Sequence, residues 1–216
     1  GRGSVLSALV LLIGALTFGG AYFSFKTPSE QEMVDSFGEA QRFYAEGAYD
    51  QAIERYEQLS LIRSRILDAE KVEVTVGDQT YPVQAAGLYQ IGNAYTKLHG
   101  DYNRFSEDSP SATRRSAYRA LADSAFDSAV ESFQRVIDET SSEQLRGQAH
   151  GRLIELYFDS EAYPRVIEAS QRLTDADPFG PHAIVAYYNT GWANFEMRQY
   201  REAIEAFEVL VANYPT

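Results

Sequence analysis

The stretch GWANFEMRQYREAIEAFEVLVANYP, residues 191–215, decides the fold. In its second half, Ala203, Phe207 and Leu210 recur at the spacing i, i+4 and i+7, which is one face of an α-helix. A further helical pattern, residues 186–199, leads into that half. The stretch therefore predicts two helices joined by a tight turn.

The same pattern recurs along the chain. In each copy an aromatic residue is followed three residues later by a small or β-branched residue and then by an aliphatic one. Gly92 and Gly191 occupy one position, where two closely crossing helices leave no room for a side chain. The four copies are YDQAI at 49–53, FDSAV at 126–130, YPRVI at 163–167 and YREAI at 200–204. The chain is therefore predicted to be an array of helix pairs.

These residues resemble tetratricopeptide repeats. The family pattern combines aromatic, small and aliphatic residues with a closing proline. The last copy supplies them at Tyr187, Gly191, Ala203, Phe207, Leu210 and Pro215. The resemblance implies an all-α fold, a right-handed α-solenoid of about four helix pairs. The repeats that it implies are residues 33–70, 85–141, 142–180 and 181–216.

Two insertions interrupt this array. Residues 71–83, KVEVTVGDQTYPV, alternate valines before a Gly-Asp turn, which predicts a small β-hairpin insertion at 71–84. In the second repeat the aromatic residue Phe126 comes later than the repeat length predicts, and the polar, turn-rich residues before it predict an inserted loop at 100–119. Long loops in compact arrays are either functional or poorly ordered, so a partner contact is one open role for either insertion.

The first part of the chain is apolar. Residues 5–25, VLSALVLLIGALTFGGAYFSF, carry no charge, and as a helix they would span about 31 Å, close to the hydrocarbon thickness of a bilayer. This predicts an N-terminal transmembrane helix, with an anchor at residues 1–26 and a linker at 27–32. A cleaved signal peptide is the alternative, because Gly19 and Ala21 have the spacing that a signal peptidase recognises.

Small residues within this segment suggest how it packs. Ala15 and Gly19 are four residues apart and Ala8 lies near the same face, which lets another membrane helix approach closely. The alternative is that glycine and alanine are simply common in membrane helices. Arg2 and Lys26 flank the segment almost evenly, so the positive-inside rule barely decides its orientation. We expect a single-pass protein of the bacterial inner membrane with its soluble domain in the periplasm, partly because cysteine is absent.

Composition and motifs argue against several classes of function. The formal net charge of −12 at pH 7 argues against nucleic-acid binding, because an acidic body repels phosphate backbones. The three histidines form no HExxH pair, and the sequence contains no phosphate-binding glycine loop, no nucleophile elbow and no cysteine. We therefore expect no enzyme and no catalytic, metal or cofactor site, and no small-molecule substrate.

The resemblance also implies a binding surface. In such arrays the first helix of each pair lines a concave face that binds peptides or partner domains. Trp192 and Phe195 have an alternative role, packing against a following helix pair or another repeat. Of the positions that hold a chaperone carboxylate in some family members, only Arg152 matches, which argues against a carboxylate clamp. The partner-binding groove residues implied here are Phe37, Gln41, Tyr44, Tyr89, Asn93, Lys97, Arg152, Glu155, Phe158, Tyr188, Asn189, Trp192 and Phe195.

These features lead to two functional hypotheses. The first is a non-catalytic, membrane-anchored scaffold or accessory subunit that mediates protein–protein interaction within a membrane or envelope complex, similar to the bitopic tetratricopeptide proteins of bacterial envelopes. Its partners would be other membrane or envelope proteins. The alternative is a periplasmic peptide-binding, chaperone-like quality-control module. In either case Ile204 and Phe207 are predicted to leave an apolar face that further chain or a partner covers.

Overall fold

The computed structural model describes residues 28–60 and 71–214. Within these ranges the chain forms eight α-helices and one two-stranded sheet. The helices are α1 Glu30–Ala45, α2 Tyr49–Ser60, α3 Val83–Asp108, α4 Ala112–Glu139, α5 Glu143–Asp159, α6 Tyr163–Ala176, α7 Ala183–Glu196 and α8 Tyr200–Asn213, and the strands are β1 Glu73–Val76 and β2 Gln79–Pro82. Consecutive helices pack as the pairs α1–α2, α3–α4, α5–α6 and α7–α8, as the repeat pattern predicts.

The predicted membrane segment falls outside this description. The anchor at residues 1–26, with its packing residues Ala8, Ala15 and Gly19, belongs to the part of the chain that is not described. Across residues 28–60 and 71–214, no helix combines the length and the apolar character needed to cross a bilayer.

Three of the four helix pairs are joined by the same turn. In each, one residue has a positive φ, which is 77° at Gly47, 57° at Glu161 and 61° at Arg198. The next amide donates a hydrogen bond to the carbonyl five residues earlier, which satisfies a carbonyl at the end of the first helix. These bonds run from Ala48 to Phe43 at 2.9 Å, from Ala162 to Tyr157 at 2.8 Å and from Gln199 to Asn194 at 2.8 Å. The repeated turn fixes the angle at which each second helix leaves the first.

The β-hairpin prediction is confirmed. Strands β1 and β2 pair antiparallel around Gly77, whose φ of 67° suits a tight turn. Val74 and Tyr81 face each other across the strands and are buried, at 4% and 3% exposure, where the sheet packs against α1 and α3. The backbone amide of Val83 donates to the carbonyl of Val72 at 2.8 Å, so the hairpin is closed directly onto the start of α3. The helices thus stabilise a ribbon that would be marginal alone.

The loop predicted at residues 100–119 is wrong. Helix α3 continues through this region and α4 begins within it, so only residues 109–111 remain as a turn. The polar residues that indicated a loop lie mostly on exposed helix faces, whereas aromatic residues between them pack across the pair. The rings of Phe105 and Tyr118, for example, have centroids 5.7 Å apart. The insertion therefore lengthens both helices of the second pair because their side chains bury each other.

His99 joins this long pair to the next one. Its Nδ1 lies 2.9 Å from the carbonyl oxygen of Ala122 on α4, and its Nε2 lies 3.1 Å from Nδ2 of Asn103. The hydroxyl of Ser160, at the end of α5, lies 3.4 Å from the same Nε2. His99 is therefore a structural contact between helix pairs.

The two predicted close crossings are confirmed. A Cβ atom built on Gly92 would lie 2.7 Å from the ring of Phe133, and one built on Gly191 would lie 2.5 Å from the ring of Phe207. Phe133 is fully buried in a core that extends over the first two helix pairs, the hairpin and α5. In contrast, α8 contributes little to the core, because Ala203 is its one buried residue in the described range.

Candidate functional site

A cavity of about 490 Å³ lies between the β-hairpin, α3, α5 and the start of α7. We refer to it as the groove. Its hairpin wall is formed by Val76, Gly77, Asp78, Gln79 and Tyr81, and its helical wall by Tyr89, Gln90, Asn93, Gln148, Gly151, Arg152, Glu155, His182 and Val185. The hairpin insertion is therefore one wall of a cavity that the second, third and fourth helix pairs complete.

Hydrogen bonds orient the polar side chains of the groove. The Nε of Arg152 donates to the hydroxyl of Tyr89 at 3.4 Å, and its Nη1 donates to Oε2 of Glu155 at 3.0 Å. The Nδ2 of Asn93 donates to Oε1 of Gln90 at 2.9 Å. A guanidinium has five N–H donors, so these two bonds hold Arg152 in place and leave further donors for a ligand.

Tyr44 brings the first helix pair close to the same surface. Burial raises the pKa of the Tyr44 hydroxyl, with a further increase from Tyr49, while the positive charge of Arg152 lowers it. Tyr89 also raises the pKa of Tyr44. These electrostatic effects require proximity, so an aromatic residue of α1 lies near the arginine and tyrosine of the groove.

The structure brings together some of the predicted groove residues. Tyr89, Asn93, Arg152 and Glu155 all line the groove, although they come from α3 and α5. The groove is also lined by the amide side chains of Gln79, Gln90 and Gln148. These four residues, which the sequence places on the first helices of the second and third repeats, thus lie at one cavity.

Other predicted groove residues lie elsewhere. Phe37 is a correction, because it is 3% exposed and packs in the core with its ring 5.4 Å from that of Tyr56. Gln41 is half-buried and Lys97 is exposed, and neither lines the groove. Phe158 is half-buried against Tyr163, with ring centroids 5.7 Å apart. The predicted positions in these helices therefore face the core or the solvent and not the cavity.

The predicted residues of the last repeat form a second surface. Tyr188, Trp192 and Phe195 are 49%, 37% and 47% exposed and lie in contact with one another along α7. Trp192 also packs on Phe207 of α8, with ring centroids 5.8 Å apart. Asn189 is turned inward and donates to the carbonyl of Val185 at 3.0 Å. This aromatic cluster does not line the groove.

The sequence analysis missed the residues that the hairpin and α7 contribute to the groove. Gln79 comes from the hairpin, and His182 and Val185 come from the start of α7. Gln148 of α5 also lines the groove. The alternation of the hairpin identifies its exposed face, but only the docking of that hairpin on α1 and α3 places it beside α5.

The groove chemistry suits peptide recognition. Each of its glutamine and asparagine side chains has an amide donor and an amide acceptor, which is the complement of a peptide group. Across the described ranges, no cluster of histidine and carboxylate side chains has metal-binding geometry. Burial lowers the pKa of His182 at the edge of the groove, while the charge of Asp177 acts in the opposite direction. The arrangement offers hydrogen-bond donors and acceptors along the groove.

Comparisons with known proteins give one family match and several solved structures. Residues 185–216 match the family model of the tetratricopeptide repeat. No curated protein matches the chain. Among solved structures, the kinesin light chain nearly identical TPR-like repeats of Podosopora anserina are 16% identical over 85% of this chain and 95% of theirs, with a TM-score of 0.38. MamA 41-end from Desulfovibrio magneticus RS-1 is 19% identical over 88% of this chain and 99% of that one, with a TM-score of 0.35.

These TM-scores are low, so the assignment rests on the family match and on the helix pairs. The matched residues contain α7 and α8, the pair whose sequence first indicated the repeat. The three earlier pairs have the same helix–turn–helix arrangement. Residues 185–216 are thus similar to the tetratricopeptide repeat, and the earlier pairs share their helix–turn–helix arrangement.

Proposed function

We propose that this chain is a non-catalytic scaffold that holds an extended segment of a partner protein in the groove. Tetratricopeptide repeats are protein-interaction modules, and the hairpin-walled groove is the observation that carries the proposal. Its size and its amide-rich lining suit a few residues of extended peptide, whose backbone groups would pair with Gln90, Asn93 and Gln148. Arg152 would receive a carbonyl or carboxylate of the same segment.

The proposal extends to membrane attachment. The charge-free segment at residues 5–25 supports a single anchor, and the bound partner would then be another membrane or envelope protein in whose complex this chain is an accessory subunit. The orientation is tested by fusing alkaline phosphatase, which is active only outside the cytoplasm, after Thr216. An active fusion is expected. An inactive fusion, together with an active cytoplasmic reporter at the same site, would reject the periplasmic placement.

The groove itself is tested by site-specific cross-linking in cells. A photo-cross-linking amino acid replaces Asn93 or Glu155, which line the groove, and in a control it replaces Leu121, an exposed residue of α4. We expect one membrane protein to be captured from both groove positions and not from the control. Equal capture from all three positions, or none from the groove, would contradict the proposal. The variant Arg152→Ala should weaken the capture without lowering the melting temperature, because its ion pair with Glu155 is exposed.

One observation favours a second function. Amide side chains recognise the peptide backbone, which every sequence shares, so the groove would also suit sequence-tolerant binding by a chaperone-like module. Stoichiometry separates the two functions. A fixed subunit co-purifies with one partner at a constant ratio after mild detergent extraction, whereas a quality-control module yields many different proteins in amounts well below its own.

A further inference from the structure

The wall of the groove contains a buried tyrosine hydroxyl that makes no hydrogen bond. Tyr81 of β2 is 3% exposed and belongs to the core beneath the hairpin. Its Oη atom is buried and has no hydrogen-bond partner. Tyr81 also lines the groove, so this hydroxyl lies beside an open cavity. A buried polar atom without a partner costs stability, and such an atom in a cavity wall indicates a place where a ligand group binds.

The other polar groups of the groove differ from this one. The hydroxyl of Tyr89, for example, accepts a hydrogen bond from Nε of Arg152 at 3.4 Å. Among the described residues that line the groove, Tyr81 is the one whose side chain has a buried atom without a partner. The unpaired hydroxyl is therefore a local feature of the hairpin wall.

An amide from the opposite wall lies next to this hydroxyl. Burial raises the pKa of Tyr81, and the side chain of Gln148 on α5 lowers it, which requires the two groups to be close. Gln148 is half-buried and lines the groove from its helical wall, whereas Tyr81 lines it from the hairpin wall. A glutamine side chain rotates about three bonds, so a ligand that turns it aside reaches the hydroxyl. We refer to these two side chains as the Tyr81–Gln148 subsite.

The charges around the subsite favour a neutral ligand group. The carboxylate of Asp78, in the hairpin turn, is close enough to raise the pKa of Tyr81 further. The described lining of the groove contains one arginine, Arg152, and two carboxylates, Asp78 and Glu155. Arg152 is already paired with Glu155 at 3.0 Å. Asp78 would repel a carboxylate at the subsite, so a neutral hydrogen-bond acceptor fits the Tyr81 hydroxyl better.

The geometry of amides narrows the choice of neutral group. A backbone peptide unit is trans, so its N–H and C=O point in opposite directions and do not both meet two neighbouring groups. A primary amide carries its carbonyl and one N–H on the same edge. Its carbonyl would accept from the hydroxyl of Tyr81 while its N–H donates to Oε1 of Gln148. The subsite is therefore complementary to the side chain of asparagine or glutamine.

We propose that the Tyr81–Gln148 subsite selects an asparagine or glutamine side chain of the segment that occupies the groove. This inference rests on the proposed function, because it takes the ligand to be an extended segment whose backbone lies against Gln90 and Asn93. It adds a sequence requirement, a carboxamide at one fixed position, which favours a specific partner over sequence-tolerant binding. The Tyr81 hydroxyl thus serves binding rather than folding.

The first measurement is the stability of the full chain without a ligand. Tyr81→Phe removes only the hydroxyl, so the melting temperature should stay the same or rise, because an unpaired buried group is lost. Tyr56→Phe is the matched control. Tyr56 is also fully buried and its hydroxyl has no hydrogen-bond partner either, but it does not line the groove. Both variants should be at least as stable as the unmodified chain.

The second measurement identifies the side chain that the subsite selects. Random heptapeptides displayed on phage are selected on the full chain, after peptides that also bind the Arg152→Ala variant have been removed. The remaining peptides depend on the groove, and we expect them to carry asparagine or glutamine at one shared position. One of them is then synthesised with a fluorescent label, and its Kd for the full chain is measured by fluorescence anisotropy.

The Kd of this peptide tests the subsite directly. Tyr81→Phe should raise the Kd about fivefold or more, because the amide carbonyl loses its donor, whereas Tyr56→Phe should leave it unchanged. Replacing the amide residue of the peptide by the acid of the same size should also weaken binding, because Asp78 repels it. With leucine at that peptide position, Tyr81→Phe should have no further effect, since the bond that it removes is already absent.

Several results would overturn the inference. One is a melting temperature of Tyr81→Phe clearly below that of Tyr56→Phe, because the hydroxyl would then support the fold. Another is a set of groove-dependent peptides that share no asparagine or glutamine, or whose Kd Tyr81→Phe leaves unchanged; the groove function would then stand and the subsite would fail. If no peptide distinguishes the chain from the Arg152→Ala variant, the groove function fails together with the subsite.

Discussion

Adding one methyl group at Gly92 is expected to change the free energy of unfolding by an amount that the ring of Phe133 determines. In the substitution Gly92→Ala, the new Cβ would lie 2.7 to 2.9 Å from three ring atoms of Phe133. Phe133 is fully buried and has Tyr89 packed edge-on against it at 5.8 Å, so it has no space to move away. The helix must therefore shift or the ring must leave its preferred rotamer.

The size of the effect follows from two opposing contributions. Replacing glycine by alanine inside a helix stabilises it by about 1 kcal/mol, and overpacking a core costs about 1–3 kcal/mol. Gly92→Ala should thus lower the free energy of unfolding by about 0–2 kcal/mol. At Gly100, in the same helix, a Cβ meets no atom within 4 Å, so Gly100→Ala should raise the free energy of unfolding by about 1 kcal/mol.

The measurement is urea unfolding of the full chain, followed by circular dichroism. Gly100→Ala is the matched control because it changes the same helix by the same atom. The double variant Gly92→Ala with Phe133→Leu provides a further check, since the methyl group should become stabilising once the ring is gone. Equal unfolding midpoints for Gly92→Ala and Gly100→Ala would refute the argument that the Phe133 ring excludes a side chain at this crossing.

Two further predictions concern the turns and the pH. Gly47→Ala should lower the free energy of unfolding by about 1–2 kcal/mol, because the φ of 77° is costly for a residue with a Cβ. Arg198→Gly, at a φ of 61°, should leave the free energy of unfolding unchanged or raise it. Equal destabilisation by both substitutions in thermal melts would contradict this. Burial lowers the pKa of His150 and of His182 below the ordinary value of 6.5, so the unfolded chain binds more protons there, and stability should fall as the pH drops from about 7.5 to 5.5. A melting temperature that stays constant between these pH values would contradict the lowered pKa values of the two histidines. So would a His182→Asn variant whose melting temperature depends on pH as steeply as that of the unmodified chain.

Much of the fold could be predicted because it is encoded locally. The helix pairs follow from residues three and four positions apart, and the hairpin follows from alternation around Gly77. The close helix crossings at the two glycines could also be predicted, because a glycine at the same position in two repeats indicates that two helices approach each other closely there. Within the described residues, the helices and strands of the predicted repeats and hairpin are present.

The rest depends on contacts between distant segments. The prediction of a loop at 100–119 is wrong because polar, turn-type residues indicate a loop only when no other helix packs against them. Here Phe105 of α3 packs on Tyr118 of α4. Phe37 was predicted to line the groove because its position in the repeat suits a concave face, yet it is buried in the core against Tyr56 of α2. The hairpin wall of the groove likewise follows from where the insertion docks, which no local pattern encodes.

The long second helix pair has a consequence for how the array resists unfolding. Helices α3 and α4 contain 26 and 28 residues, against 12 to 17 in the other six, and they join the hairpin, α2 and α5 into one core. In a stack of nearest-neighbour units, such a segment is the most resistant to local opening, and the ends open first. We therefore expect the groove, which is built on α3, to be stiff. Helix α8, with one buried residue in the described range, is expected to open more easily than α3.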